Sequence, residues 1–412
     1  MEKPRHGSSK LTQARAKPAL TGAEVSRNLS ADHFLAKCVR CRLAAAPLPP
    51  WPPGWNSDSD CEAVAARAEF HGIAVLLART AQDFTAWPAL VRQCLQVEIR
   101  LVGLWEEMHR TVITRLIAAL AAAAVPTLVM KGTALAYLYY DDPSARRRGD
   151  TDLLIHPRDL DRTRRLLTAH GCFRRDDPHG LFFQETWEVD CGLGLIHSID
   201  LHWEPADRPV LQQVLRAGEF WAASIPVPRL SVDARAPDPV LMLVHGAINQ
   251  AWHVARGFFV DGERIIGGRR LIWSVDYARL AARFSVADWE RLANFCRDRQ
   301  VSALVHGALA GAQTDIGFAP PPGRLAQLAG DTRPSPAARY IQAPDRIGDM
   351  WADVRDADTL AMKIKFIASM IFAPRSHLEN KYPQAAHWPT AALQLRRYGG
   401  ALAWLLSRGR QR

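Results

Sequence analysis

Three short segments hold residue types that could do chemistry together. They are Lys131-Gly132-Thr133, Gly149-Asp150-Thr151-Asp152 and Ile199-Asp200-Leu201-His202-Trp203. Alternate residues of a strand point to one face. Asp150 and Asp152 therefore project together, and Asp200 shares a face with His202. Two carboxylates that close repel each other unless a cation sits between them. Mg²⁺, or Mn²⁺ in its place, takes oxygen ligands from one or two carboxylates plus substrate phosphates. If the two strands are neighbours, Asp150, Asp152 and Asp200 form a three-carboxylate metal site. Such a site activates an attacking hydroxyl and stabilises the leaving oxygen of an in-line displacement. The first segment supplies the phosphate half. Gly132 lets the backbone approach a phosphate, while the next amides and the Thr133 hydroxyl bind its oxygens. Lys131 and Arg146 are its charge partners. Gly149 and His202 complete the expected nucleotide contacts.

Each segment alone also has an ordinary structural use. A Lys-Gly-Thr run is commonly a plain turn, and an Asp-x-Asp pair a solvated strand end. Asp200 could simply accept a structural hydrogen bond, and His202 could be a buried histidine. The order and spacing of all three favour a metal-assisted reaction of a nucleoside triphosphate.

The elements that would position them are readable in outline. Glu62–Ala78 and Leu90–Ala124 carry apolar residues every three or four positions and predict helices, the second stopped by Pro126. Thr127–Met130 predicts a buried strand, followed by the phosphate turn and a helix over Ala134–Tyr140. Further strands are expected at Thr151–Ile155, Cys172–Arg174, Phe182–Val189 and Leu195–Trp203. A helix is expected at Leu160–His170, with Gly171 just past its end. From Pro239 onwards the pattern is helical: Pro239–Val254, Ile272–Phe284, Val286–Arg299, Val301–Ile316 and Thr359–Phe372. Ser285 and Asp288 make a capping-box pair for the third of these. The fold class expected is α+β: a small mixed β-sheet core with helices on one side, between N-terminal helices and a C-terminal helical region. Domain boundaries follow: 1–60 as a disordered basic tail and proline-rich linker, 61–125 helical, 126–235 the core, and 236–412 helical with a basic tail.

The chain has 412 residues, 48% hydrophobic and 23% charged, which describes a globular protein. Its net charge of +10 suits an anionic partner. Basic ends and Arg146-Arg147-Arg148 supply much of that excess. Seven cysteines are scattered, and Cys38-Val-Arg-Cys41 lacks a second pair at zinc spacing, so unpaired thiols in a reducing cytoplasm are expected. The longest apolar run, Leu116–Val125, is about half of what a membrane span needs, and no membrane insertion is expected.

At the three segments the sequence resembles the polymerase-beta-like nucleotidyltransferase superfamily. More narrowly it resembles a bacterial family of uncharacterised nucleotidyltransferases. The likeness rests on Lys131-Gly132, on Arg146 before Gly149-Asp150-Thr151-Asp152, and on Asp200-Leu201-His202-Trp203. His245, Asp276 and Trp289 fit the same pattern. Thr133 stands where the wider superfamily has Gly or Ser. The resemblance implies transfer of a nucleoside monophosphate from an NTP to an unidentified acceptor, a small molecule or peptide ahead of nucleic acid. Asp150, Asp152 and Asp200 would hold the metals, and Asp200 would help deprotonate the acceptor. Two other functions fit the same residues: a non-catalytic nucleotide-binding accessory protein of a biosynthetic gene cluster, and an RNA-modifying nucleotidyltransferase suggested by the positive charge.

Overall fold

Pro126 divides the chain. Proline cannot continue a helix, and the chain turns just before it through Ala124, which takes a left-handed φ of 53°. The computed structural model describes residues 22–78, 84–175, 183–192, 194–260, 263–330, 335–342 and 346–408. Ahead of Pro126 lie α1 (Gly22–Leu43), α2 (Asp58–His71), α3 (Ala74–Leu77) and α4 (Ala89–Ala122). After it come β1 (Thr127–Val129), α5 (Lys131–Tyr139), β2 (Asp150–Ile155), α6 (Leu160–Ala169), β3 (Cys172–Arg174), β4 (Gln184–Asp190) and β5 (Ile196–His202). Short elements follow: α7 (Pro209–Gln212), α8 (Ala217–Ala222), β6 (Ile225–Pro226) and β7 (Arg235–Ala236). The rest is mainly helical. It contains α9 (Pro239–Arg256), a hairpin of β8 (Phe258–Val260) and β9 (Glu263–Ile265), α10 (Leu271–Ala281), α11 (Val286–Asp298) and α12 (Ser302–Ile316). It closes with α13 (Arg324–Ala329), α14 (Pro336–Gln342), α15 (Arg346–Asp356), α16 (Leu360–Ile371), α17 (Arg375–Lys381) and α18 (Thr390–Arg408).

The fold is α+β. Seven strands form one mixed sheet in the order β3-β4-β5-β2-β1-β7-β6. β2 runs parallel to β5 and antiparallel to β1, and β3, β4 and β5 form an antiparallel meander. The parallel β2–β5 pair is central and reads as continuous apolar sequence at its inner end, as a strand covered on both faces should. Leu153, Leu154, Ile155, Ile199 and Leu201 are fully buried. α4 and α5 cover the face that carries Thr151, through Ile113, Leu116 and Leu120 of α4 and Ala134 and Tyr137 of α5. Among the described residues no helix is long and apolar enough to cross a membrane. All seven cysteines are free thiols.

The expected strands from Thr127 to Trp203 are present within one or two residues at each end, and so are the helices from Pro239 to Ile316, except that α10 stops at Ala281, three residues before the expected Phe284. The Ser285–Asp288 capping box forms in both directions. Gly171 takes φ +83° just past α6. Four expectations need amending. The helix expected over Glu62–Ala78 breaks at Gly72, whose left-handed φ of 69° ends α2. The Lys-Gly-Thr turn forms the first turn of α5. A helix, α1, occupies much of the stretch expected as tail and linker, because Phe34, Leu35, Cys38 and Val39 give it a buried face. The proline-rich stretch packs on that helix too. Trp51, Trp55 and Trp87 surround Phe34, with ring centroids 5.6, 5.8 and 5.3 Å away. Residues 1–21 of the expected tail, Phe182 of the expected fourth strand and the last four residues lie outside the described residues.

Candidate metal and phosphate site

The β2–β5 register builds the site. Asp152 is the direct partner of Asp200, Asp150 of Ser198, and Leu154 of His202. Strand alternation then sends Asp150, Asp152, Asp200 and His202 to one face, opposite α4 and α5. Asp152, Asp200 and His202 each offer one ligand atom, all within 4.8 Å of one another. Asp152 and His202 are buried and Asp200 is half-buried. Asp150 stands one step outward at the exposed start of β2, outside that group of three.

Asp152 is the electrostatic centre. Its Oδ1 accepts from Lys131 Nζ at 2.6 Å and lies 2.9 Å from His202 Nε2. Burial alone would raise this carboxyl, but the Lys131 ammonium and the His202 ring hold it well below the usual carboxylate range. Burial works against the Lys131 charge, yet the attraction of Asp152 wins and raises its pKa. Burial, then the Lys131 charge, pushes the His202 pKa down, so the ring is neutral near pH 7. Its Nδ1 is buried with no hydrogen-bond partner. Asp200 Oδ1 accepts from the Thr186 hydroxyl at 2.8 Å across the β4–β5 pair. Asp150 is surrounded by protein yet keeps an exposed face. Desolvation, then the charges of Asp152 and Asp200, raise its pKa, and solvent at its exposed face moderates that rise.

Lys131 sits at the junction of β1 and α5 with φ +48°, a region a side chain other than glycine adopts at some cost in energy. This turn aims its ammonium across the strand end at Asp152. Gly132 follows. A Cβ there would meet Arg146 Nη1 and Arg148 at 3.5 Å, which is ordinary contact. Internal packing therefore does not demand glycine at this half-buried position. Gly149 lies open just before β2, with nothing within 4 Å of the position a Cβ would take.

Two expected phosphate contacts are committed elsewhere. The Thr133 hydroxyl faces the other side of the sheet, where it accepts from Arg148 Nε at 3.1 Å and lies 3.4 Å from Thr151 Oγ1. The Arg146 guanidinium is buried against Asp276 of α10. Its Nε lies 3.0 Å from both carboxylate oxygens and its Nη2 lies 2.9 Å from Oδ2. Tyr140 adds a hydrogen bond of 2.6 Å to Oδ1. Burial pushes the Asp276 carboxyl up while Arg146 and Tyr140 pull it back. An arginine remains charged in proteins, and the two-pronged contact keeps Asp276 ionised beside it. Arg146, Lys131, Gly132, His245, Gln250 and Trp273 line a pocket between α5, α9 and α10. Here the Gln250 Oε1 is buried without a hydrogen-bond partner. Asp276 and His245 both line this pocket, so the C-terminal helices border the site.

Sequence reasoning missed a buried polar network behind the carboxylates. Thr151 Oγ1 lies 2.7 Å from His109 Nε2 and 3.1 Å from His197 Nε2. Arg148 bridges Glu106 at 2.8 Å, His109 Nδ1 at 3.1 Å and Thr133 at 3.1 Å. Tyr137 donates to Glu106 at 2.7 Å. The group joins α4, α5, β2 and β5 directly beneath Asp150 and Asp152. Its one sequence signal is the Glu106/His109 spacing on a single face of α4.

The donor set fits a hard divalent cation. Two carboxylates face each other across a strand pair, a third adds to their negative field, and oxygen predominates among the ligands. Residues 57–315 match the model of a family described as uncharacterised nucleotidyltransferase. The match spans more than half of the chain, and the chain belongs to that family. Among curated proteins nothing matches it.

Proposed function

We propose that this member of the uncharacterised nucleotidyltransferase family transfers a nucleoside monophosphate from an NTP to a small-molecule or peptide acceptor, by a two-metal mechanism with Mg²⁺ or Mn²⁺. The observation that carries the reading is the pairing of Asp152 with Asp200 on adjacent parallel strands, with Asp150 on the same face. In this reading residues 126–235 are the catalytic unit, and the helices on either side border the nucleotide and acceptor.

Asp150 and Asp152 hold the metals, and Asp200 completes the set on the acceptor side. When bound, the metals supply the charge that activates the attacking oxygen and stabilises the leaving one. Asp200 takes the acceptor proton. The acceptor oxygen bonds to the α-phosphorus, the bond to the α–β bridging oxygen breaks, and pyrophosphate leaves. Lys131 keeps Asp152 ionised and is the side chain placed to meet triphosphate oxygens. The start of α5 at Gly132, which lines the pocket, adds backbone donors and the positive end of the α5 dipole. The hydroxyl of Thr133 has no part in this, being held by Arg148. Arg146 lines the nucleotide pocket from its fixed place against Asp276, its charge largely balanced by that carboxylate.

The test is nucleotidyl transfer or NTP hydrolysis by purified protein with labelled NTPs and Mg²⁺ or Mn²⁺. Asp152→Asn and Asp200→Asn are each expected to lower the rate by more than about a hundredfold, since even partners outside a metal's ligand shell are worth 10–100-fold. Folded variants that retain the wild-type rate would sink this assignment.

A further inference from the structure

The exposed face of α16 has no place in the reaction. Leu360, Ile364, Ile367 and Ile371 recur at helical spacing and form one stripe, and all four are solvent-exposed, Leu360 by 73% and Ile364 by 58%. The opposite face of the helix is satisfied. Phe366 and Met362 pack there on Val354 and Phe183 in a small core separate from the main one. The helix-end residue Phe372 is 66% exposed beside the stripe. α18 is held against this end, where Tyr398 and Arg397 donate to the Ile371 carbonyl.

The charge of this region matches the apolar stripe to one kind of surface. From Leu360 to Arg412 the sequence has nine lysines and arginines and a single acidic residue, Glu379, so it carries most of the formal +10 of the chain. Lys363 flanks the stripe and Lys365 lies further round the helix. A second copy of this chain would bring two strongly basic faces together. A polynucleotide would answer the charge but leave the leucine and isoleucines in water. An anionic lipid surface answers both, because apolar side chains enter the acyl boundary while lysines and arginines reach the headgroups.

We propose that α16, backed by the basic helices α17 and α18, is a peripheral docking surface for a bilayer containing anionic phospholipid. The helix lies in the plane of the interface. Its twelve residues are too few to span a membrane.

Co-sedimentation of the full chain with vesicles tests this. The protein is expected to pellet with phosphatidylcholine vesicles that contain phosphatidylglycerol, to be released as salt is raised, and to stay in solution with phosphatidylcholine alone. Ile364→Ser with Ile367→Ser should weaken vesicle binding by about tenfold or more, with the circular dichroism spectrum unchanged. Charge reversal at Lys363 and Lys365 to Glu should have a similar effect through the headgroup attraction. Failure to pellet with the anionic vesicles overturns the proposal, as does equal pelleting of the isoleucine variant. A dimer that the isoleucine changes dissociate would assign the stripe to a second copy instead. Salt-sensitive RNA binding without pelleting would assign the charge to nucleic acid.

Discussion

Changing Asp276 to asparagine isolates the contact that fastens α10 to the loop between α5 and β2. Three arginine contacts of 2.9–3.0 Å and one tyrosine hydrogen bond of 2.6 Å converge on this carboxylate. Both charged groups are buried, Arg146 8% and Asp276 4% exposed. Asparagine keeps the shape and removes the charge. It leaves a guanidinium in the interior facing an amide, one end of which is itself a donor. Removing one partner of a buried ion pair costs about 3–5 kcal/mol, a large part of a total stability of about 5–15 kcal/mol. Tyr140→Phe removes one hydrogen bond from the same carboxylate and should cost about 1–3 kcal/mol. Replacing Arg146 by Met and Asp276 by Leu together removes both charges and should recover part of the loss. The assay is equilibrium unfolding in urea, compared at the first transition because a chain of this size need not unfold in one step. The reasoning fails if Asp276→Asn costs less than about 1 kcal/mol, the worth of an exposed pair. It fails equally if the double variant is less stable than the single one.

Acid should destabilise the protein through its buried neutral histidines. Burial pushes the His109, His197 and His245 pKa values down to about 4, 3 and 3, against about 6.5 in an unfolded chain. The unfolded state therefore takes up protons first; stability is complete above about 6.5 and declines as pH falls towards the folded values, by up to about 2 kcal/mol per ring at pH 5. A melting temperature that stays level from pH 7 to pH 5 would contradict buried neutral rings. Thr133→Val should leave NTP affinity within about twofold while destabilising the protein by about 1–3 kcal/mol, because it strips Arg148 of an acceptor; calorimetric titration beside thermal melting separates the two, and a large loss of affinity would return the hydroxyl to the phosphate. EDTA should abolish transfer and added Mn²⁺ or Mg²⁺ restore it, whereas activity that persists in chelator would remove the two-metal mechanism.

The strands and the carboxylate face were legible because they depend on local pattern. Period-two alternation in Asp150–Ile155 and in Ile196–His202 decides which side chains share a side, whatever else the protein does. Pro126, Gly171 and the Ser285–Asp288 pair act within one turn of chain and were readable for the same reason. Pairing across distance was less so. Adjacency of β2 and β5 was only a condition for the site, and Asp276 lies 130 residues from the Arg146 it binds. The hydroxyl of Thr133 looked available because Arg148 and Thr151, which surround it, approach from beyond its own turn. Helix α1 escaped notice because its apolar face is narrow and its partners Trp51, Trp55 and Trp87 come from irregular chain. The network of His109, His197 and Glu106 gave almost no signal, since each polar residue is ordinary until the fold encloses it.

The parallel pairing of β2 with β5 also bears on the order in which the protein gains its parts. Asp152 and Asp200 come from strands separated by α6, β3 and β4, so no local segment of the chain holds both ligands. Closure of that long loop is a slow, non-local event in folding. A nascent or truncated chain that ends before Ile196 lacks Asp200, the carboxylate that faces Asp152 in the candidate cation site. Divalent ions would then favour the finished sheet over its precursors, by about 2.7 kcal/mol at a hundredfold excess over the dissociation constant. On the proposed two-metal reading, metal supply during synthesis would then bear on yield as well as on the reaction.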